Sequence, residues 1–334
     1  MRTLMISLDK KILDEKSAVA RRMVEYGAID QLYILIPSKQ KKVGRYGNGV
    51  YVESTGGNKL FQFFRLLYRG KALCAREKVE GITVQDPFFT AFVGLYIKRA
   101  CGTPLEIQVH GDFYGSEYYK KSGIMNRVRY ALGKMTLPRA DSVRVVGERV
   151  RQSLSLLGLD PHRISVQPID TVKMISAYNR ASDQDVLHPA YPNFEKIFVW
   201  AGRMEPVKNL LFLIDVFSDV VKERSRWGLL LVGEGTQKET LIREVKKRAV
   251  EKNILFLPWH DTAFVYMKHA DCVLFPSLSE GYGLVPMEAA QAGTPVIMTD
   301  VGVANYELPP SDRVRIVPVG DRDAFIRAML DLDT

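Results

Sequence analysis

The sequence predicts an α/β protein of two domains, each built on a parallel sheet with helices on its faces. Three observations predict it. Short apolar strand patterns alternate with helical patterns along the whole chain, the signature of parallel strands joined by crossover helices. At 334 residues the chain is long enough for two hydrophobic cores. A break falls between Asp170 and Pro192, which is polar, contains Ser182-Asp183-Gln184-Asp185, Pro189 and Pro192, and keeps no sustained periodicity. It reads as a linker and places the domains at residues 1–172 and 190–334.

The first-half strands are expected at Leu4–Ser7, Gln31–Ile36, Val50–Glu53, Ile82–Gln85, Leu105–Val109 and Ser142–Val146. Those of the second half are expected at Ile197–Ala201, Gly228–Val232, Ile254–Leu257, Cys272–Phe275, Pro295–Met298 and Arg315–Val317. Each is a short apolar run bounded by turn residues, as strands covered on both faces read. A small-residue helix is expected from Val285 to Ala292, and a last one from Arg322 to Leu330.

Hydrophobic content of 46% with 25% charged residues excludes a disordered chain. No apolar run approaches the length of a membrane span. The start, Met1 to Ser7, reads as a first strand rather than a secretory signal. Cys74, Cys101 and Cys272 are widely spaced in apolar contexts, which points to reduced thiols of a cytoplasmic protein, not a disulfide or zinc framework. The charge is lopsided. Residues 1–170 hold 28 Lys and Arg against 16 Asp and Glu, or +12; residues 171–334 hold 19 against 22, or −3. The first half is therefore expected to face something anionic, unless it is simply a solvated basic surface.

The most informative stretch is Ser279-Glu280-Gly281-Tyr282-Gly283-Leu284-Val285-Pro286-Met287-Glu288, between an expected strand and an expected helix. A helix start offers unpaired N–H groups and a favourable dipole to an anion. Glu280 is expected on an exposed turn, with Glu288 about two turns along the helix on roughly the same face. Backbone donors for phosphate beside two carboxylates for hydroxyl groups suit a nucleotide sugar. Gly202-Arg203 and Lys208 follow another strand, where two cations can neutralise a diphosphate. Gly233-Glu234-Gly235 ends a third. Its Gly-x-Gly is weak by itself, and lone Arg and Lys are commonly surface residues. In the first half His110, Asp112 and Asp86 follow strand ends. A lone His is more often structural than functional, and Asp86 equally suits a helix N-cap.

Arg203, Lys208, the Gly233 turn, the Glu280-to-Glu288 spacing and the following Ala292-Gly293-Thr294-Pro295-Val296-Ile297 together resemble the retaining GT-B glycosyltransferases of family 4. The resemblance spans most of residues 195–320. The first half fits more loosely, through Ile107–Asp112 and Val166–Asp170. It implies two Rossmann-like domains facing across a cleft. It implies a nucleotide-diphosphate sugar donor, UDP- or GDP-linked, and transfer of a hexose with retention to a glycan or lipid-linked acceptor, as in cell-surface polysaccharide or glycolipid assembly. Arg203 and Lys208 would hold the diphosphate, Glu288 the ribose, and Glu280 with Gly281, Tyr282, Gly283 and Leu284 the sugar and phosphate. Gly202 and Gly233 would line the donor site, His110 would reach the sugar, and Asp86 and Asp112 would serve the acceptor side.

No cofactor and no metal are expected. Asp183-x-Asp185 and Asp331-x-Asp333 exist, but in the linker and tail. Two departures stand out. Asp9-Lys10-Lys11-Ile12-Leu13-Asp14 replaces the family's Gly-Gly loop, and the sequence reaches Thr334 before the family's crossover helix, which is either missing or trimmed away; with it missing, looser domain closure is expected. The basic aromatic stretches 61–71 and 113–121 suggest peripheral attachment to the inner, anionic face of a membrane, unless the first is a core helix with snorkelling arginines and the second an acceptor-side loop lining the cleft. Nucleic-acid binding is not expected, for want of any recognised motif. The alternatives are a non-catalytic anionic-polymer binder or another GT-B enzyme, such as a sugar-nucleotide epimerase.

Overall fold

The structure is a computed structural model that describes residues 1–121, 123–169, 184–259 and 263–333. Asp170, Asp183 and most of the expected linker lie outside the described residues. The chain divides into two compact units. The first comprises Met1–Gly115, Tyr119–Val146 and Val150–Gln167; the second comprises Ser116–Tyr118, Gly147–Arg149 and Pro168–Thr334.

The strands of the first unit are β1 (Arg2–Ile6), β2 (Gln31–Ile36), β3 (Val43–Tyr46), β4 (Val50–Ser54), β5 (Gly81–Val84), β6 (Leu105–Val109), β7 (Ser142–Val145) and β8 (Ile164–Val166). They form one sheet in the order β3-β4-β2-β1-β5-β6-β7-β8, parallel except for the β3–β4 hairpin. The expected strands all form; β3 and β8 come in addition. The helices are α1 (Ala18–Gly27), α2 (Lys59–Glu77), α3 (Phe89–Cys101), α4 (Glu117–Lys121), α5 (Gly123–Thr136) and α6 (Glu148–Leu156). Side-chain caps start two of them: Ser17 Oγ accepts from Ala20 N at 3.0 Å, and Asn58 Oδ1 accepts from Phe61 N at 3.1 Å.

Period-2 alternation assigns the sheet's two faces to different helices. Leu32, Ile34 and Ile36 of β2 pack with Ala20 and Met23 of α1. Leu35, one residue out of register with them, lies beside Gly70 of α2. So α1 covers one face and α2 the other, with α3 packed on α2 and α5 on α3.

The second unit has β9 (Lys196–Arg203), β10 (Trp227–Glu234), β11 (Ile254–Leu257), β12 (Cys272–Phe275), β13 (Val296–Thr299) and β14 (Val314–Val317). Its sheet is parallel throughout, in the order β11-β10-β9-β12-β13-β14. Its helices are α7 (Leu210–Glu223), α8 (Lys238–Lys247), α9 (Ala263–His269), α10 (Leu284–Gln291) and α11 (Arg322–Leu330). β9 and β10 are apolar on both faces because helices cover both. Phe198, Trp200, Phe217, Trp227 and Phe325 are fully buried together, each contributing about 1.5–3 kcal/mol of burial.

The strand order matters for function. The chain runs outward from β9 through β10 to β11, then returns to the other side of β9 for β12. The crevice between the carboxyl ends of β9 and β12 is thus the switch point where open α/β sheets bind ligands. The first unit has its own switch point between β1 and β5, where Ser7 Oγ donates to Gln85 Oε1 at 2.5 Å.

Candidate active site

The loops after β9 and β12 bring Lys208 and Glu280 together at the second unit's switch point. Lys208 Nζ lies 2.5 Å from Glu280 Oε1 and stands 5.5 Å from the centre of the Phe275 ring. Their side chains are only 18% and 13% exposed, so this is a largely buried pair. Leu278 N also donates to Val207 O at 2.8 Å, joining the two loops through the backbone. The expectation that Glu280 rides on an exposed turn is corrected: a lysine 72 residues away in sequence encloses it.

The shared helix face is corrected too. α10 begins at Leu284, because Gly283 at φ 99° takes a left-handed conformation that no helix contains. Glu280 therefore lies in the bend before the helix, and Glu288 about one turn into it. No side chain caps α10, so its first amides remain open to an anion. Tyr282 is buried, and its carbonyl accepts from Val303 N at 2.7 Å, which fixes the bend. Gly281 completes that bend, half-buried beside it.

Glu288 is 8% exposed, and its carboxylate has no hydrogen-bond or ion-pair partner among the described residues. Burial raises its pKa above the ordinary carboxylate value. A buried carboxylate left unpaired is costly unless a ligand pairs it. Arg203, at the end of β9, is exposed and likewise has no ion-pair partner among the described residues. Sequence reasoning missed two hydroxyls here. Ser277 and Ser279 are buried, and neither Oγ has a hydrogen-bond partner among the described residues. The Ser-x-Ser pair just before Glu280 was the available signal.

The Gly233 loop is locked to the Gly202 loop. Met204 N donates to Glu234 O at 2.8 Å, and the Glu205 carboxylate accepts from Thr236 N at 3.2 Å and Thr236 Oγ1 at 2.7 Å. A Cβ on Gly233 would collide with the carbonyl oxygen of Gly202, its partner across the two strands. Gly233 is thus required for close approach of backbone, whatever else it lines.

In the first unit, His110 follows β6. Its Nε2 lies 3.2 Å from Gln108 Oε1. Gln108 Nε2 donates to Thr83 Oγ1 at 2.7 Å, and Thr83 Oγ1 donates to Glu106 Oε1 at 2.9 Å. The chain of bonds assigns the ring proton to Nε2 and leaves the Nδ1 lone pair open. The residue is exposed, yet desolvation by nearby protein lowers its pKa, and the Arg144 guanidinium lowers it further. Both effects favour the neutral ring.

Asp86 and Asp112 are tied locally. Asp86 Oδ1 accepts from Phe88 N at 2.8 Å and Thr90 N at 3.3 Å, and its Oδ2 accepts from Thr90 Oγ1 at 2.6 Å. It supplies acceptors to the start of α3, whose N-cap, Phe88, has none to offer. Asp112 is buried and accepts from Gly115 N at 2.8 Å, closing the loop after His110. Phe113, in the same stretch, packs on Phe88 and Tyr119 rather than facing solvent as a free aromatic.

Comparison with known proteins follows the same division. Residues 195–333 match the family described as Glycosyl transferases group 1, and residues 20–169 match Glycosyltransferase Family 4. The chain is 27% identical over 255 residues to an alpha-monoglucosyldiacylglycerol synthase of Streptococcus pneumoniae, covering 71% of this chain and 56% of that protein. Other curated relatives are matched over as little as 27% of their own length. Among solved structures, a sucrose-phosphate synthase from Thermosynechococcus elongatus superposes with a TM-score of 0.74 at 18% identity, covering 99% of this chain and 90% of that one. Anabaena HepE in complex with UDP-glucose superposes at 0.68 and 16% identity, covering 99% and 89%. Two parallel-sheet units, each matched by a glycosyltransferase family model, make this chain a member of the GT-B glycosyltransferases of family 4.

Proposed function

We propose that this protein transfers a hexosyl group from a nucleotide-diphosphate sugar to a glycan or lipid-linked hydroxyl, with retention and without a metal. The observation that carries the reading is the set of unsatisfied groups at one switch point: unpaired Arg203, the open amides of α10, and the buried, partnerless carboxylate of Glu288. Cations and amides suit a diphosphate, and a carboxylate suits the ribose hydroxyls. The complex of Anabaena HepE with UDP-glucose supports a uridine donor, and the pneumococcal relative's name supports a glycolipid acceptor.

As the anomeric carbon–oxygen bond breaks, the sugar becomes cation-like and the diphosphate gains negative charge. Arg203, Lys208 and the α10 amides stabilise that charge, the work a metal does in other diphosphate sites. Glu280 positions Lys208 and, with Gly281 to Leu284, the donor sugar. The acceptor oxygen bonds to the anomeric carbon on the face the diphosphate leaves, and its proton passes to the departing phosphate oxygen. His110 accepts one hydrogen bond from a sugar hydroxyl at its open Nδ1. Asp86 and Asp112 shape the loops of the acceptor side.

Calorimetry with UDP, GDP and their hexose conjugates, in excess chelator, tests the reading. The expected result is binding of one nucleotide series and transfer that survives chelation, giving a product of unchanged anomeric configuration by proton NMR. Transfer lost on chelation and restored by magnesium or manganese would remove the metal-free mechanism, and an inverted product would remove retention.

A further inference from the structure

We propose that α2, α3 and α5 of the first unit form a docking face for an anionic lipid bilayer. Surface helices normally turn polar residues outward. On α2 the exposed residues include Phe61, Phe64 and Tyr68, at 57%, 57% and 72% exposure. On α3 they include Phe89, Phe92 and Tyr96, spaced three and four residues apart on the side opposite buried Ala91 and Gly94. Phe63 joins the two stripes, with its ring 5.9 Å from Phe89 and 6.2 Å from Phe92. On α5, Ile124, Met125 and Val128 are exposed. A groove of about 840 Å³ runs between α3 and the end of α5, lined by Phe92, Tyr96, Arg99, Met135 and Arg139. An exposed apolar area this extensive is unusual unless something covers it.

Charge identifies the partner. These three helices carry ten Lys and Arg and a single acidic residue, Glu77 at the end of α2. The five helices of the second unit carry eight against seven, so the imbalance belongs to this layer. Lys59, Lys71, Arg99 and Arg127 are exposed without a side-chain partner among the described residues. Rings and cations together match the interfacial zone of an anionic membrane, where aromatic residues sit at headgroup depth and Lys and Arg meet the lipid charge. A nucleic acid would reward the cations but not Ile124, Met125 or Val128. Among the described residues no helix is long and apolar enough to cross a bilayer, so the attachment is peripheral.

Flotation of the full chain with vesicles tests this. One set is phosphatidylcholine alone; the other contains about 30% phosphatidylglycerol, at low salt and at about 0.5 M salt. The expected result is recovery with the anionic vesicles at low salt, weakened by salt, and little with neutral ones. Each cation facing an anionic surface is worth roughly fivefold. Combined Lys71→Glu, Arg99→Glu and Arg127→Glu should therefore cut partitioning on the order of a hundredfold. Phe64→Ser with Tyr68→Ser and Phe92→Ser should reduce it at every salt concentration. Arg21→Glu with Arg22→Glu, on α1 against the other face of the sheet, should reduce it far less. Circular dichroism melts matching the parent show that each variant is folded; all altered side chains are at least partly exposed. Equal recovery with both vesicle types, no flotation with either, or equal effects of the α1 and α3-centred charge reversals would overturn the proposal. A stable complex with a protein captured in place of lipid, together with no flotation, would do the same.

Discussion

The two units share a plan and differ in what their strand-end loops do with polar groups. Both are parallel sheets with a switch point beside a central strand. In the first unit the polar groups there are occupied within the unit: Ser7 bonds Gln85, Asp86 serves the start of α3, and Asp112 closes its own loop. In the second unit the backbone of the loops is tied tightly, while the side chains of Arg203, Glu288, Ser277 and Ser279 make no hydrogen bond or ion pair among the described residues. A rigid loop with unsatisfied groups is what a preorganised ligand site requires, because the donors and acceptors are positioned before the ligand arrives. Carboxylates at equivalent strand ends therefore mean different things, and only their partners tell them apart.

The sharpest way to break this comparison is at the lock between two loops. Gly233→Ala forces a Cβ into Gly202 O, and is expected to destabilise the second unit by about 3 kcal/mol or more. Gly102→Ala, with open space around it but a left-handed φ of 70°, should cost only about 1 kcal/mol. Urea unfolding of both variants measures the gap; equal losses would mean that the 202–233 contact is not what requires glycine.

Glu280→Ala comes next. It strands Lys208 in a largely buried setting, so a stability loss of about 3 kcal/mol is expected together with loss of transfer. Glu280→Gln, which keeps a hydrogen-bond acceptor for Lys208, should recover part of the stability. If the alanine variant melts like the parent, the pair is not structural and Glu280 is free for sugar alone.

Arg203→Ala and Asp86→Ala set the two units against each other. Arg203→Ala should weaken nucleotide-diphosphate binding by about 1.5–3 kcal/mol, tenfold or more, with an unchanged melting temperature. Asp86→Ala should lose about 1 kcal/mol of stability through the start of α3 and leave nucleotide affinity alone. Calorimetry and thermal melts on the same two proteins decide it, and a reversed pattern would exchange the roles assigned to the units.

Glu288→Gln is expected to raise stability at neutral pH by about 1 kcal/mol while weakening nucleotide binding. The sign follows from burial. The folded pKa lies above the unfolded one, so the carboxylate opposes folding when charged, and that penalty fades as pH falls through the folded value. Stability of the parent relative to the Gln variant should therefore improve on acidification. A Gln variant that is less stable at neutral pH would reveal a structural partner for Glu288.

The smallest effect concerns His110. Its folded pKa lies below the unfolded value of about 6.5, so the unfolded chain binds the extra proton first. Stability relative to His110→Gln should be flat above about pH 6.5 and decline below it. A rise in relative stability on acidification would instead mean that the imidazole is charged in the fold.

Much of this was legible in the chain. Every strand read from apolar runs forms, and α11 spans Arg322–Leu330 as its pattern reads. β8 escaped because three residues, Ile164–Val166, are too short to show a period. β3 escaped although Gly47-Asn48-Gly49, between Tyr46 and Val50, is a hairpin signal. In the site, residue types and spacing pointed to Arg203, Lys208, Glu280 and Glu288, but not to their environments. The extent of the apolar surface on α2, α3 and α5 was only half visible. The cations and rings of 61–71 could be read off, whereas the second stripe on α3 went unread.

The sequence by itself determined the alternation of strands and helices, the glycines at strand ends, and the chemistry available in each loop. These are local properties, set by side-chain period, turn stereochemistry and charge. Only the tertiary structure decided that β12 returns to lie beside β9, and hence that Lys208 closes over Glu280 while Glu288 is buried alone. The reason is physical. Whether a carboxylate is paired, capped or left waiting depends on groups 30 to 70 residues away, such as Thr236 for Glu205 and Glu280 for Lys208, and no local pattern encodes which of them will arrive.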